Sequence, residues 1–289
     1  MFSNKLLNKF SKDLIIKPLF NFYTAGETIK DLQNKIKVLE KSNIYPIGDY
    51  IKEYSNDKGV IGENFRNYHN LCLISKLEYI AIKPSSFGFN YLDMKNITSV
   101  IIKSKKKVLI DAEDAKNHLI INNIIKKLAF DFKDDDKYHI YKTYQMYRRD
   151  SLLSLREDSS YKTIGIKLVR GAYLKTDGHL PEFFNKKKDT DDAFRNGMNY
   201  IFNNNIPSFI CTHNLEDIKY MMDSVNENKD LLKTIKHASL YGFINDETKK
   251  IISSGIKTYK YLPYGNIDDA IPYLLRRLQE NPTVLKHLL

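Results

Sequence analysis

Short runs of β-branched and aromatic residues alternate along this chain with longer stretches whose apolar positions recur every three or four residues. The runs cover residues 44–51, 78–84, 107–112, 139–147, 165–173, 207–212, 235–241 and 256–263. Helical patterns lie between or after them, as in 113–128, 190–202, 214–226, 245–254 and 268–280. The last is the clearest: Ile271, Leu274, Leu275 and Leu278 share one face, which predicts a buried stripe. Asn245 and Asp268 stand where N-caps belong. Eight strands alternating with helices predict a parallel sheet. From Asp49 to Tyr261 the strand ends recur about every 30 residues, close to the repeat of a (β/α)8 barrel. A doubly wound open sheet is the alternative, but it usually announces itself by a glycine-rich first turn, and none is present.

Composition supports one large core. With 42% hydrophobic and 12% aromatic residues among 289, wholesale disorder is excluded. No Pro/Gly-rich seam divides the chain. Residues 1–22 read as a basic helix or a short presequence, and residues 23–289 as one barrel. No run of eighteen apolar residues predicts a membrane span. Cys72 and Cys211 are far apart and read as free thiols of a reducing compartment. The net charge of +11 is spread over every face. Its densest run, Lys103 to Lys107, has no interleaved aromatics. That argues against nucleic acid and leaves a loose attraction to anionic lipid.

In a barrel, the C-terminal strand ends build the active site. Here they carry Asp49, Lys83, Asp111, Gln145, Arg170, His213, Leu240 and Tyr261. The adjacent Arg276 and Arg277 are hardware for a two-pronged grip on a carboxylate. Glu280 lies one turn further and can orient them, and Tyr261 can face them across a pocket. The bland alternative is an exposed, salt-bridged helix face. The segment Lys167-Leu-Val-Arg-Gly-Ala-Tyr173 combines cations, a small pair and an aromatic. It suits a flat ring with a phosphate tail approaching the backbone at Gly171, or a buried strand ending in a turn. Thr212-His213-Asn214 presents three polar side chains, or a helix cap with a structural histidine. No second His or Cys stands at a metal spacing, so no metal is expected. Lys83 and Asp111, each ending an apolar run, are expected to pair with one another across the barrel mouth.

Together these segments resemble the proline dehydrogenase family over almost the whole chain. The likeness begins at Thr24-Ala-Gly-Glu27 and runs through Ile82-Lys-Pro-Ser85, Ile110-Asp-Ala-Glu113, Thr143-Tyr-Gln145, the 167–173 segment and Thr212-His-Asn214. It closes with Tyr261-Leu-Pro-Tyr-Gly265, Tyr273-Leu-Leu-Arg-Arg277 and Glu280-Asn281. The resemblance implies a distorted (β/α)8 barrel whose last helix lies over the barrel mouth and which holds FAD non-covalently. Arg276, Arg277 and Tyr261 would bind the proline carboxylate and ring, with Tyr173 and Leu240 beside them and Lys83 and Asp111 as catalytic neighbours. Gln145, Lys167, Arg170, Gly171, Ala172, Thr212, His213, Asn214 and Glu280 would hold FAD. The implied reaction takes L-proline to Δ1-pyrroline-5-carboxylate. Electrons would leave to a membrane quinone through peripheral membrane association, and a separate pyrroline-5-carboxylate dehydrogenase would take the product. The implied location is the matrix side of the mitochondrial inner membrane or, in a bacterium, the cytoplasmic side of its inner membrane. The family's penultimate strand usually reads Phe-x-Gln-Leu-x-Gly-Met; here it is His237-Ala-Ser-Leu-Tyr-Gly-Phe243. That departure keeps open a catalytically weak barrel with a binding or regulatory role; a related cyclic amino acid such as hydroxyproline is a third reading, against which the bulk of the Tyr261 ring argues.

Overall fold

The computed structural model describes residues 12–134, 137–242 and 246–280, except for the side chains of residues 12, 13 and 280. Eight parallel strands close into a barrel in sequence order: β1 (Tyr45–Tyr50), β2 (Tyr79–Ile82), β3 (Lys107–Ile110), β4 (Ile140–Gln145), β5 (Ile164–Val169), β6 (Ser208–Cys211), β7 (Ile235–Leu240) and β8 (Lys257–Tyr264). Six fall within a run read from the sequence, while β5 begins one residue before its run and β8 ends one residue after its own. The barrel is therefore the expected one, and the open sheet is set aside.

Tyr79, Tyr141, Phe209 and Tyr259 fill the interior of the barrel, with Tyr79 and Phe209 edge-to-face at 4.8 Å between ring centroids. Such edge contacts suit the ring quadrupoles. Tyr141 is in register with Gly165, where a Cβ would lie 2.4 Å from its ring. The glycine makes room for the tyrosine. The opposite strand faces pack on the outer helices α2 (Ile29–Glu40), α3 (Lys58–Cys72), α4 (Tyr91–Lys103), α5 (His118–Asp131), α6 (Ser151–Ser159), α7 (Lys187–Asn203), α8 (Leu215–Glu227) and α9 (Asp246–Ser253), while α1 (Lys17–Tyr23) and α10 (Ile267–Glu280) form a cluster of their own.

Helix α2 starts in a capping box. The Thr28 hydroxyl accepts from Asp31 N–H, and the Asp31 carboxylate accepts from Thr28 N–H, which satisfies two otherwise orphaned donors. This helix packs on β1 and β8, the outer position that a last helix would otherwise take. Helix α10 is thereby free to turn inward. Its Ala270, Tyr273 and Leu274 bury against Leu19, Phe20 and Tyr23 of α1 and Ile51 after β1.

One local expectation changes. Asn266, not Asp268, caps α10: its side-chain oxygen accepts from Asp268 N–H at 2.8 Å. The Asn245 cap lies outside the described residues. The Lys103–Lys107 run is not wholly solvated, because Lys106 is buried and its ammonium donates to Ile74 O and Leu77 O, both at 2.7 Å. Both carbonyls lie in the loop between α3 and β2, outside any strand or helix ladder, where buried acceptors need donors.

Candidate active site

Helix α10 and the strand ends enclose a cavity of about 540 Å³. Of the side chains singled out in the sequence, every one but Glu280 lines it. The Glu280 side chain lies outside the described residues. Arg276 and Arg277 project from α10, and Tyr261 rises from β8 beneath them. Lys167 Nζ stands 4.4 Å over the Tyr261 ring, a cation–π contact in a desolvated site.

The pairing of charges differs from the expectation. Lys83 donates to Asp49, on the neighbouring strand, and to Tyr50 O at 3.2 Å. Asp111 is held instead by Lys167 at 2.7 Å. Lys83 and Asp111 thus share a site without forming an ion pair. Alternate strands of a barrel contribute to one interior layer, so Lys167 from β5 meets the residue after β3. Burial pushes Asp49 up to about 6, against the pull of Lys83. Burial also opposes the Lys83 charge, but Asp49 and Asp111 outweigh it and keep the ammonium protonated.

Glu280 was expected to orient the arginines. The described partner of Arg276 is Glu53, from the loop after β1, at 2.6 Å. Glu53 reads in the sequence as one more charge in a polar loop, and only the closure of α10 over the mouth brings it to Arg276. The Arg276 guanidinium also lies 5.2 Å from the Tyr173 ring centroid.

The opposite wall is formed by the ends of β4, β5 and β6. Gln145 donates to Glu113 O at 3.1 Å. Arg170 is set by Asp191 and Asp217 at 2.9 and 2.5 Å and donates to Thr212 Oγ1 at 3.1 Å. Asn214 caps α8 by accepting from Glu216 and Asp217 N–H. Gly171 adopts φ +129°, and a Cβ there would fall 1.4 Å from the Tyr147 ring. Its lack of a side chain is thus demanded by Tyr147 as well as by any ligand. Ala172 follows it along the wall. His213 is exposed to the cavity, and desolvation by the surrounding wall together with the nearby Lys260 lowers its imidazole below the ordinary range.

Glu113 is a further lining residue that sequence reasoning did not select. Ser85 donates to its Oε1 from N–H at 3.2 Å and from Oγ at 2.8 Å. Its buried Oε2 has no hydrogen-bond partner among the described residues. Burial pushes its carboxyl up to about 8, and Glu53 adds to that. The folded value exceeds the unfolded one, so its stabilising contribution is whole below about pH 4.5 and is lost as pH rises through about 8. Glu113→Gln, which mimics the protonated acid, is expected to flatten the pH dependence of Tm across that window and to exceed the wild type at its alkaline end. Calorimetric scans over a pH series check this, and a variant with the wild-type slope would refute it.

The family model described as Proline dehydrogenase matches residues 24–288. The chain belongs to the proline dehydrogenase family. Among curated proteins it is similar to the carbapenem antibiotics biosynthesis protein CarD of Pectobacterium carotovorum subsp. carotovorum. That protein is 27% identical over 90% of this chain and 78% of its own length. The mitochondrial proline dehydrogenase 2 of Arabidopsis thaliana is 32% identical over 65% of this chain and 44% of its own. A hydroxyproline dehydrogenase of Xenopus laevis is 26% identical over 76% of this chain and 54% of its own. Among solved structures, proline utilization A of Bdellovibrio bacteriovorus, inactivated by N-propargylglycine, superposes with a TM-score of 0.83 at 16% identity. It covers 96% of this chain and 34% of that one. That likeness is one of fold. The chain thus spans about half or less of the plant and frog relatives and a third of the solved protein.

Proposed function

We propose that this proline dehydrogenase family member oxidises L-proline to Δ1-pyrroline-5-carboxylate with bound FAD. The observation that carries the reading is the pairing of two walls in one cavity: adjacent arginines on α10 face a polar, cationic wall from β4 to β6. Lys83, Lys167, Arg170, Lys187, Arg276 and Arg277 outnumber the lining carboxylates Asp49, Glu53, Asp111 and Glu113, which favours anionic ligands. The volume exceeds what one small amino acid fills, and the donor set fits a flavin dinucleotide. Gln145, Lys167, Arg170, Gly171, Ala172, Thr212, His213 and Asn214 would hold it. When bound, that group supplies the hydride acceptor.

The chain's own residues do the positioning. Arg276 and Arg277 bind the substrate carboxylate, Arg276 exchanging Glu53 for it. Tyr261 and Leu240 bound the ring, and Tyr173 backs Arg276. The buried Lys83–Asp49 and Lys167–Asp111 pairs keep fixed charges under the substrate, which preorganises the site. Helix α10 shields the mouth from water. The ring nitrogen must be uncharged to lose the hydride, so kcat/KM is expected to rise with pH until another group titrates.

We place the electron acceptor as a quinone of a membrane that the protein meets peripherally; no helix among the described residues is long and apolar enough to cross one. A separate dehydrogenase takes the product. The location follows the source, mitochondrial or bacterial. A second reading, a ring-hydroxylated proline, is favoured by one observation. The Tyr261 hydroxyl is buried at the cavity without a hydrogen-bond partner among the described residues, and a substrate hydroxyl could supply one.

Purified protein is expected to be yellow and to bleach anaerobically with L-proline. Colourless protein that takes up no FAD would sink the proposal. Faster bleaching by trans-4-hydroxy-L-proline would select the second reading.

A further inference from the structure

Several large apolar side chains stay in water along one arc of the barrel's C-terminal rim. Leu119 and Ile120 of α5, Leu153 of α6, Leu215 of α8 and Leu174, which opens the short helix Leu174–Asp177, are all exposed. Leu119 is 75% exposed and Leu153 61%. Each sits in the first turn of its helix, and these helices start beyond the ends of β3 to β6, which are neighbours in the barrel. A first helical turn is ordinarily polar, because its free N–H groups favour capping and acidic side chains. Leucines there serve neither the cap nor the core. Exposed apolar groups gathered on one face and rimmed by polar ones mark an interaction surface.

The charge along the same arc is one-sided. Residues 111–120, 146–153, 170–190 and 212–216 expose Lys116, Arg149, Lys175, Lys186, Lys187 and Lys188, against the carboxylates of Asp150 and Glu216. Asp150 is already engaged by Arg148 at 2.9 Å. Cations set among exposed leucines suit an anionic lipid surface. The cations meet phosphates, and the apolar chains enter the boundary between headgroups and acyl chains.

Leu73 and Phe130 are exposed too, but they lie where α3 and α5 end, beside the strand N-termini. A six-residue strand such as β4 holds that end roughly 20 Å from the strand ends that line the cavity. The C-terminal arc instead borders the wall of Gln145, Arg170, Thr212 and Asn214. Beside it, Leu180, Pro272 and Leu275 line a second cavity of about 570 Å³, which shares Tyr173 and Arg276 with the first. Apolar surface thus runs from the rim to the site.

We propose that the rim beyond β3 to β6 docks on an anionic lipid surface, with its leucines in the interface and its cations on lipid phosphates, so that the cavity mouth faces the bilayer. The inference rests on the quinone reading given above and names the face that serves it. An acceptor dissolved in lipid reaches the site only from this side.

Flotation of the flavin-loaded protein with phosphatidylcholine vesicles, with and without a third of phosphatidylglycerol, tests this. The wild type is expected to float with the anionic vesicles and to be released as salt rises. Leu119→Ser/Leu153→Ser should weaken binding about tenfold or more, since two leucines lose their apolar transfer. Lys186→Glu/Lys188→Glu should weaken it by a similar factor. Leu73→Ser/Phe130→Ser, at the other end, should bind like the wild type. With a water-soluble dye as acceptor, all three variants should oxidise proline at the wild-type rate. With a quinone dissolved in the vesicles, turnover of the two rim variants should fall in step with binding. Rim variants that bind like the wild type, or a loss confined to Leu73→Ser/Phe130→Ser, overturn the docking face. Equal flotation with neutral vesicles overturns the anionic assignment. Rim-dependent binding by a protein that passes no electrons to the lipid-dissolved quinone supports the face and overturns the quinone reading instead.

Discussion

Replacing Arg276 with methionine is expected to raise KM for proline by about two to three orders of magnitude, the loss of a desolvated charge-assisted pair. The flavin should remain bound, because Arg276 lies on the α10 side of the cavity, away from the Gln145–Asn214 wall. A second consequence separates binding from folding. Glu53 is only 10% exposed at its side chain, so losing Arg276 strands a buried carboxylate and lowers Tm. Adding Glu53→Gln should restore Tm without restoring KM. Steady-state kinetics beside thermal melts of the single and double variants check both limbs. An Arg276→Met enzyme that turns over at the wild-type KM would remove the carboxylate assignment.

Lys83→Met is expected to be the most destabilising single change at the site. It leaves Asp49, 3% exposed, without its counter-ion and with Asp111 as a like-charged neighbour. Breaking one side of a buried pair costs about 3–5 kcal/mol, which lowers Tm on the order of 10 °C for a chain of this size. Lys83→Met/Asp49→Asn should recover most of the loss, because the cost lies in the stranded charge. The penalty also carries a pH signature. Asp49 already stands at about 6 beside Lys83, and losing the cation raises it further. The variant is then relieved as pH falls and Asp49 takes up a proton, so the gap in Tm narrows toward acid. Circular dichroism melts over a pH series would show this; a gap independent of pH, or a variant melting with the wild type, would contradict it.

Much of the architecture was legible because burial on both strand faces leaves continuous apolar runs, and these are local signals. All eight strands coincide, to within one residue at an end, with runs marked by β-branched and aromatic residues. Their near-regular spacing limited the closed forms to a barrel. Strand-end polar residues were legible for a similar reason: a lysine, aspartate or arginine that terminates an apolar run is costly without a task. Partners were harder. Lys83 seeks the nearest carboxylate in space, and Asp49 on the adjacent strand wins over Asp111. Asp111 meets Lys167 only because alternate strands share a layer. Glu53 was missed because a charge in a charged loop looks solvated until a helix closes over it. The α10 cap was misplaced by two residues, since Asn266 and Asp268 are both competent caps and only backbone direction decides between them.

By itself, then, the sequence determined the eight-unit repeat, the polar strand ends and the apolar stripe of the last helix, all properties of neighbours along the chain. Only the tertiary structure decided which charges meet and what covers the mouth. Helix α2 takes the place between β8 and β1, so α10 folds inward onto α1 and carries Arg276 to Glu53. Those outcomes turn on competition between residues from 34 to 223 positions apart, and electrostatic pairing depends on distance in space, which local pattern does not encode.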